Sequence, residues 1–185
     1  MTRFKSSVCV FCGSRDGGNP AYAEAAEATG RMIAIRGWRL VYGAGDVGLM
    51  GRVARSAQEE GGETFGVIPG HLCEREVGKR DLSHFVMTSN MHERKTVMYV
   101  NSDAVVVLPG GAGSLDEFFE VLTWRQLGLH AKPIFLLNTD GFWTPLVDLV
   151  DHFIAEGFAE ADLRDYIRVI PTVDALEAAL RSALS

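Results

Sequence analysis

Short runs of apolar, often β-branched residues alternate along this chain with longer stretches in which apolar residues recur every three or four positions. The runs mark strands, and the three-to-four spacing marks amphipathic helices. By that criterion SSVCVFC is a strand and NPAYAEAAEATGRMIAIRG a helix closed by Gly37. WRLVYG is the second strand, GLMGRVARSAQEEGG the second helix and ETFGVIP the third strand. Gly70 to Asn90 is polar and irregular, with a short strand at HFVMTS, and MHERKTVMYVNS is helical. DAVVVLPG is a continuous apolar run, the pattern of a strand covered on both faces. SLDEFFEVLTWRQLGL is a helix, KPIFLLN a strand and FWTPLVDLVDHFIAEG a helix; YIRVIPT reads as an edge strand and VDALEAALRSAL as a terminal helix.

Such alternation builds βαβ crossovers, hence an α/β fold with a mostly parallel sheet flanked by helices. No linker, low-complexity tract or repeat divides the chain, so residues 1–185 are expected to form one domain. Ligands of these sheets bind beyond the C-terminal strand ends. Three glycine-rich turns lie there: CGSRDGGN, GAGDVGLMG and PGGAGS.

Composition narrows the classes. Apolar residues make up 47%, enough for a full core, and the net charge of −6 argues against a general nucleic-acid or membrane-surface binder. No apolar run would span a bilayer and no signal-like cleavage region follows the N-terminus, so a soluble cytoplasmic protein is expected. Three cysteines do not make a disulfide framework. Cys9 and Cys12 form a CxxC, but on a strand residues three apart face opposite ways; core thiols are expected, not a redox pair or a zinc site.

The chemistry concentrates in PGGAGSLDE. Glycines allow close approach of backbone to a ligand, and amides at a helix N-terminus attract anions. Ser114 and Glu117 also have capping-box spacing, in which Ser caps the helix and Glu reaches back. Glu117 shares a helix face with Val121 and Trp124, so it either caps or serves as a catalytic base. In NMHERKTVM, Arg94 shares a face with Met91, Val97, Met98 and Asn101; it either covers apolar surface or enters a pocket. Lys95 beside it is expected to be more exposed. Gly43 to Gly48 fits G-x-G-x-x-G, yet it follows the second strand and ETFGVIP does not end on an acidic residue. A close-packed turn is expected there rather than an NAD site. No HExxH, nucleophile elbow or P-loop is present. The polar run with His71, Glu74, Arg75, Glu76, Lys79, Arg80 and Asp81 reads as solvated surface or a lid.

Taken together, the motifs resemble one family. PGGAGSLDE is close to the PGGxGTxxE signature of the LOG (Lonely guy) proteins, cytokinin riboside 5'-monophosphate phosphoribohydrolases. MHERK is similar to the family's second motif, and FCGS, VYGAGDVGLMG and GVIP match its landmarks in order. The resemblance runs from about Val8 to Asn138. It implies a Rossmann-like three-layer fold, a homodimer, and no metal or organic cofactor. The implied reaction hydrolyses the N-glycosidic bond of AMP or an N6-modified AMP to a free adenine-type base and ribose 5-phosphate. By motif position, Glu117 and Arg94 are the catalytic pair, while Gly110, Gly111, Gly113 and Ser114 hold the 5'-phosphate. Lys95 and Asp116 are secondary binding or orienting residues. Gly13, Ser14 and the turn containing Gly45 border the nucleotide. Ser114 stands where the family has Thr and keeps the hydroxyl; Ala44 stands at the middle of a usual GGG. The alternatives are an AMP nucleosidase in salvage, a non-catalytic nucleotide-binding protein and, from the G-x-G-x-x-G spacing, an NAD-dependent oxidoreductase.

Overall fold

A computed structural model describes residues 5–73, 78–79 and 81–185. Strand β1 (Ser7–Phe11) leads into helix α1 (Pro20–Ile35), followed by β2 (Arg39–Tyr42), α2 (Gly48–Glu59) and β3 (Thr64–Pro69). A one-turn helix, α3 (Gly70–Cys73), precedes β4 (His84–Thr88) and α4 (Met91–Val100). Then come β5 (Ala104–Val107), α5 (Ala112–Gln126), β6 (Ile134–Leu137), α6 (Thr144–Ala155), β7 (Ile167–Ile170) and α7 (Val173–Ala183). Short 3-10 turns occupy Thr139–Gly141 and Ala161–Tyr166. The helix α3 is absent from the sequence expectation; one turn is too short to show a period.

The seven strands form one sheet in the order β4-β3-β2-β1-β5-β6-β7, and every ladder is parallel. This is a Rossmann-like three-layer arrangement, and β7 is an edge strand, as the sequence implied. From β1 the chain runs outward to β4 and then returns to β5 beside β1. The crevice between the ends of β1 and β5 is therefore the topological switch point, where open α/β sheets bind ligands.

Strand alternation splits the core into two layers. Val8, Val10, Leu40, Tyr42 and Val106 pack with residues of α1, α2 and α7. Cys9, Phe11, Val41, Val105 and Val107 pack on the other face with residues of α4, α5 and α6. Cys9 and Cys12 thus belong to opposite layers, as a strand requires. Phe118 of α5 is fully buried in the second layer. Truncating a phenylalanine in such a place typically costs about 3–5 kcal/mol, so α5 is anchored firmly beneath the site it carries.

Local signals set the helix ends. Asn19 caps α1 by accepting from the Ala21 amide at 3.0 Å, with Pro20 in the first turn. Gly37 lies just past the end of α1 at φ +68°, the left-handed conformation that glycine takes without a Cβ penalty.

Candidate active site

Three glycine-rich turns meet at the switch point. The Gly13 amide donates to the Pro109 carbonyl at 3.0 Å, joining the turn after β1 to the turn after β5. Gly48, at φ +54°, presses on the Ser14–Arg15 backbone so closely that an added Cβ would come within 2.3 Å of it. Together these turns open onto a cavity of about 530 Å³, a size typical of small-molecule sites.

Helix α5 supplies one wall. Its N-cap is Gly111, in extended conformation, with no side chain accepting from the first turn. Helices α1, α4 and α7, by contrast, are capped by Asn19, Asn90 and Thr172; α2 and α6 share the lack of a side-chain cap with α5. The first amides of α5 have no intrahelical acceptor and, at the positive end of the helix dipole, favour an anion. A Cβ on Gly111 or Gly113 would meet nothing within 4 Å, so protein packing does not demand glycine at either position. A Cβ on Gly110 would lie 2.1 Å from Ser114 Oγ, which places the hydroxyl directly over the turn. Ser114 is buried and lines the cavity; Gly110, Gly111 and Gly113, which are more exposed, line it too.

The capping-box expectation is overturned. Helix α5 begins at Ala112, two residues before Ser114, and its cap is Gly111. Ser114 and Glu117 therefore both lie inside the helix, where neither can cap its start. Glu117 is 9% exposed and lines the cavity instead.

Arg94 lines the same cavity from α4 and is 4% exposed. Its Nε donates to the Val67 carbonyl at 3.1 Å and its Nη2 to the Gly43 carbonyl at 2.7 Å. Nη1 lies 3.8 Å from Met91 Sδ. The guanidinium is thus seated on the ends of β2 and β3. Gly43 is what makes room for it: a Cβ there would be 2.0 Å from Nη2. The G-x-G-x-x-G spacing is in this protein an arginine seat followed by a close-packed turn.

Gly13 and Ser14 lie on the cavity wall. Gly45, Lys95 and Asp116 do not, among the described residues. Gly45 pairs with Gly78 in an isolated antiparallel bridge, and the neighbouring Ala44 carbonyl accepts from the Lys79 amide at 2.8 Å. The turn expected to border the ligand directly is turned toward residues 78–79 and acts on the cavity through Arg94. Lys95 is 6% exposed, not the more exposed partner of Arg94, because its ammonium bridges Asp116 at 2.9 Å and Glu120 at 2.5 Å. Burial alone would lower its pKa; the hydrogen bonds with Glu120 and Asp116 prevail and raise it.

Further wall residues were not singled out from the sequence. Arg15, Asp16, Tyr22, Met91 and Phe142 line the cavity, with Leu49, Met50 and Leu72. Arg15 and Asp16 belong to a turn already marked by its glycines. Tyr22 and Phe142 carry no sequence signal; their rings meet edge to face at 5.2 Å, and Asn19 donates to Asp140 at 2.7 Å alongside them. The Asp16 loop is fixed by Arg52, which donates to both its carboxylate oxygens at 2.8 and 2.9 Å. The Arg52 hydrogen bond also holds the Asp16 carboxyl below its usual pKa. Burial pushes the Cys9 and Cys12 thiols well above their ordinary range, and the Glu117 charge adds to it. The expected lid falls partly on residues 74–77 and 80, outside the described residues. Among the described residues no cluster suits a metal ion, and no helix is long and apolar enough to cross a membrane.

The fold is a Rossmann-like α/β one, with an uncapped helix end at the switch point and a carboxylate and a guanidinium on the same cavity. Residues 50–180 match a family model described as "Possible lysine decarboxylase". The chain is 44% identical over 169 residues to the probable cytokinin riboside 5'-monophosphate phosphoribohydrolase LOGL1 of Oryza sativa subsp. japonica, covering 91% of this chain and 76% of that one. It is 41% identical over 169 residues to the cytokinin riboside 5'-monophosphate phosphoribohydrolase LOG4 of Arabidopsis thaliana, covering 91% and 79%. The chain belongs to this phosphoribohydrolase family, the LOG family. The fold is shared with the Moco carrier protein of Chlamydomonas (TM-score 0.73, 22% identity, 97% of each chain). It is also shared with the molybdenum cofactor binding protein of Rippkaea orientalis (TM-score 0.72, 20% identity, 97% of this chain and 98% of that one).

Proposed function

We propose that this protein hydrolyses the N-glycosidic bond of adenosine 5'-monophosphates, N6-modified ones included, releasing the free base and ribose 5-phosphate. One observation carries the reading: the uncapped N-terminus of α5, Glu117 and Arg94 all border a single cavity. The 5'-phosphate sits against the amides of Gly111 to Ser114 and the Ser114 hydroxyl. That anchors the sugar beside Glu117, so binding energy is converted into alignment. As the C1'–N9 bond breaks, its electron pair leaves with the base and positive charge develops on the sugar, as in other glycoside cleavages. The Glu117 carboxylate stabilises that charge and orients water, whose oxygen bonds to C1'. Arg94 stabilises the negative charge growing on the base; a guanidinium stays protonated, so its role is electrostatic. A water proton completes the neutral base. The apolar side chains of Leu49, Leu72, Met91 and Phe142 on the cavity wall favour a purine and an apolar N6 substituent.

The test is base release from AMP and from isopentenyladenosine monophosphate, followed by chromatography, with Glu117→Gln alongside. Release by the wild type and not by the variant supports the reading, and the ratio of rates gives the base preference. Tight nucleotide binding without release would favour a carrier. We also propose a homodimer: the exposed Val100, Leu127 and Leu129 at the C-terminal ends of α4 and α5 support it. Sedimentation of Leu127→Glu and Leu129→Glu variants tests that part.

A further inference from the structure

Two helices carry the proposed catalytic pair, and each carries beside it a residue that joins the helices. On α4, Arg94 faces the cavity and Lys95 does not. On α5, Glu117 faces the cavity, while Asp116 and Glu120 meet Lys95. Asp116 and Glu120 are four residues apart, so they share a face and reach one ammonium together. The Lys95 side chain is 7% exposed, against 59% for Asp116 and 21% for Glu120. The cation is therefore buried between the helices, with one of its carboxylates at the rim.

Arg94 is seated on the sheet through the carbonyls of Gly43 and Val67. Glu117 rides on α5, which follows β5 on the other side of β1. The sheet holds both helices, and the Lys95 bridge adds a direct link between α4 and α5 beside the cavity. We propose that Lys95 is a positioning residue: by pairing with Asp116 and Glu120 it fixes α4 against α5 and sets the placement of Glu117 relative to Arg94. This rests on the hydrolase reading above. Lys95 touches no substrate on this view, since it is absent from the cavity wall. Its removal misaligns the reacting groups and leaves the phosphate turn untouched. A shift of about 1 Å at such a pair reduces turnover about 100-fold.

The experiment compares wild type, Lys95→Met, Lys95→Arg and Glu120→Gln for kcat, KM for the nucleotide, and thermal midpoint. The expected result for Lys95→Met is a loss of at least about tenfold in kcat with KM within about threefold. Lys95→Arg restores most of kcat, because it again places a cation between the carboxylates. Glu120→Gln gives a smaller loss with the same split, and it carries the test alone if Lys95→Met does not fold. A raised KM with kcat intact would make Lys95 a ligand-binding residue and overturn the proposal. Unchanged kinetics in a folded Lys95→Met would overturn it too, as would an Arg variant that matches wild type in thermal midpoint yet is as inactive as Lys95→Met. The wild type run alongside separates the two levels: if it releases no base, the hydrolase reading fails first and takes this proposal with it.

Discussion

Arg94 Nη2 sits 2.7 Å from the carbonyl oxygen of Gly43, in the space where a side chain at position 43 would begin. The backbone of Gly43 is not in the left-handed region, so alanine fits there by conformation. Its methyl would instead displace the guanidinium, the flexible end of a long side chain. Gly43→Ala is expected to fold normally and to lower kcat on nucleotide by about 100-fold or more, the scale of a misplaced charge-stabilising group. Circular dichroism and steady-state kinetics check both halves.

Gly111 and Gly113 separate binding from stability. Neither has positive φ, and a Cβ on either meets no protein atom within 4 Å. Gly113→Ala, inside α5, should raise stability by about 0.5–1 kcal/mol through helix propensity. If the space above these residues belongs to a phosphate, the same substitution raises KM for the nucleotide at least tenfold. A variant that melts higher and binds worse is the signature, measured by thermal unfolding and titration with AMP.

The Ala44 position is conformationally strained. It has φ +57° and is fully buried. Left-handed backbone costs a residue with a Cβ roughly 1–2 kcal/mol, and the buried methyl contributes about 0.8 kcal/mol in return. Ala44→Gly is therefore expected to leave stability nearly unchanged or raise it by up to about 1 kcal/mol. Ala54→Gly, at a buried position inside α2, loses both a methyl and helix propensity and should cost about 2 kcal/mol. Denaturant melts of the two variants give the contrast directly.

Alkaline pH should weaken the fold through Cys9 and Cys12. Both thiols are held protonated by burial, with the Glu117 charge adding to the effect. A raised folded-state pKa gives stability that is complete below the unfolded value, about 8.5, and is lost as pH rises, because only the unfolded chain releases the proton. The thermal midpoint should decline from about pH 8.5 upward. Burial raises the Tyr42 hydroxyl as well, so the decline continues past about pH 10. Replacing Cys9 or Cys12 by alanine should flatten the slope between about pH 8 and 10 whatever it does to the midpoint at neutral pH.

The strands were legible because fully covered strands are written as unbroken apolar runs; Ala104–Val107 is the clearest. The phosphate-like turn was legible for a similar local reason, as glycines running into a helix form a contiguous signal. The start of α5 is not written locally: Ser114-x-x-Glu117 satisfies the capping pattern, while the real cap, Gly111, leaves no side-chain mark. Burial of Lys95 was hidden because its two partners sit on a different helix, and no period along α4 reports them. Tyr22 and Phe142 meet only once the ends of β1 and β6 are placed in the same sheet. Strand order itself depends on where each crossover lands, which no short window contains.

Helix α5 begins at the proposed phosphate and carries Glu117 in its second turn. Ser114 and Glu117 are three residues apart on one rigid rod, a rise of roughly 4.5 Å along its axis. On the proposed function, the helix works as a ruler from the phosphorus end of the ligand toward the anomeric carbon. Its length does not adjust, so a nucleoside without the 5'-phosphate loses its zero mark as well as its grip. Selection for the phosphorylated form then falls on the rate of bond breaking as well as on affinity, and no separate checkpoint is needed.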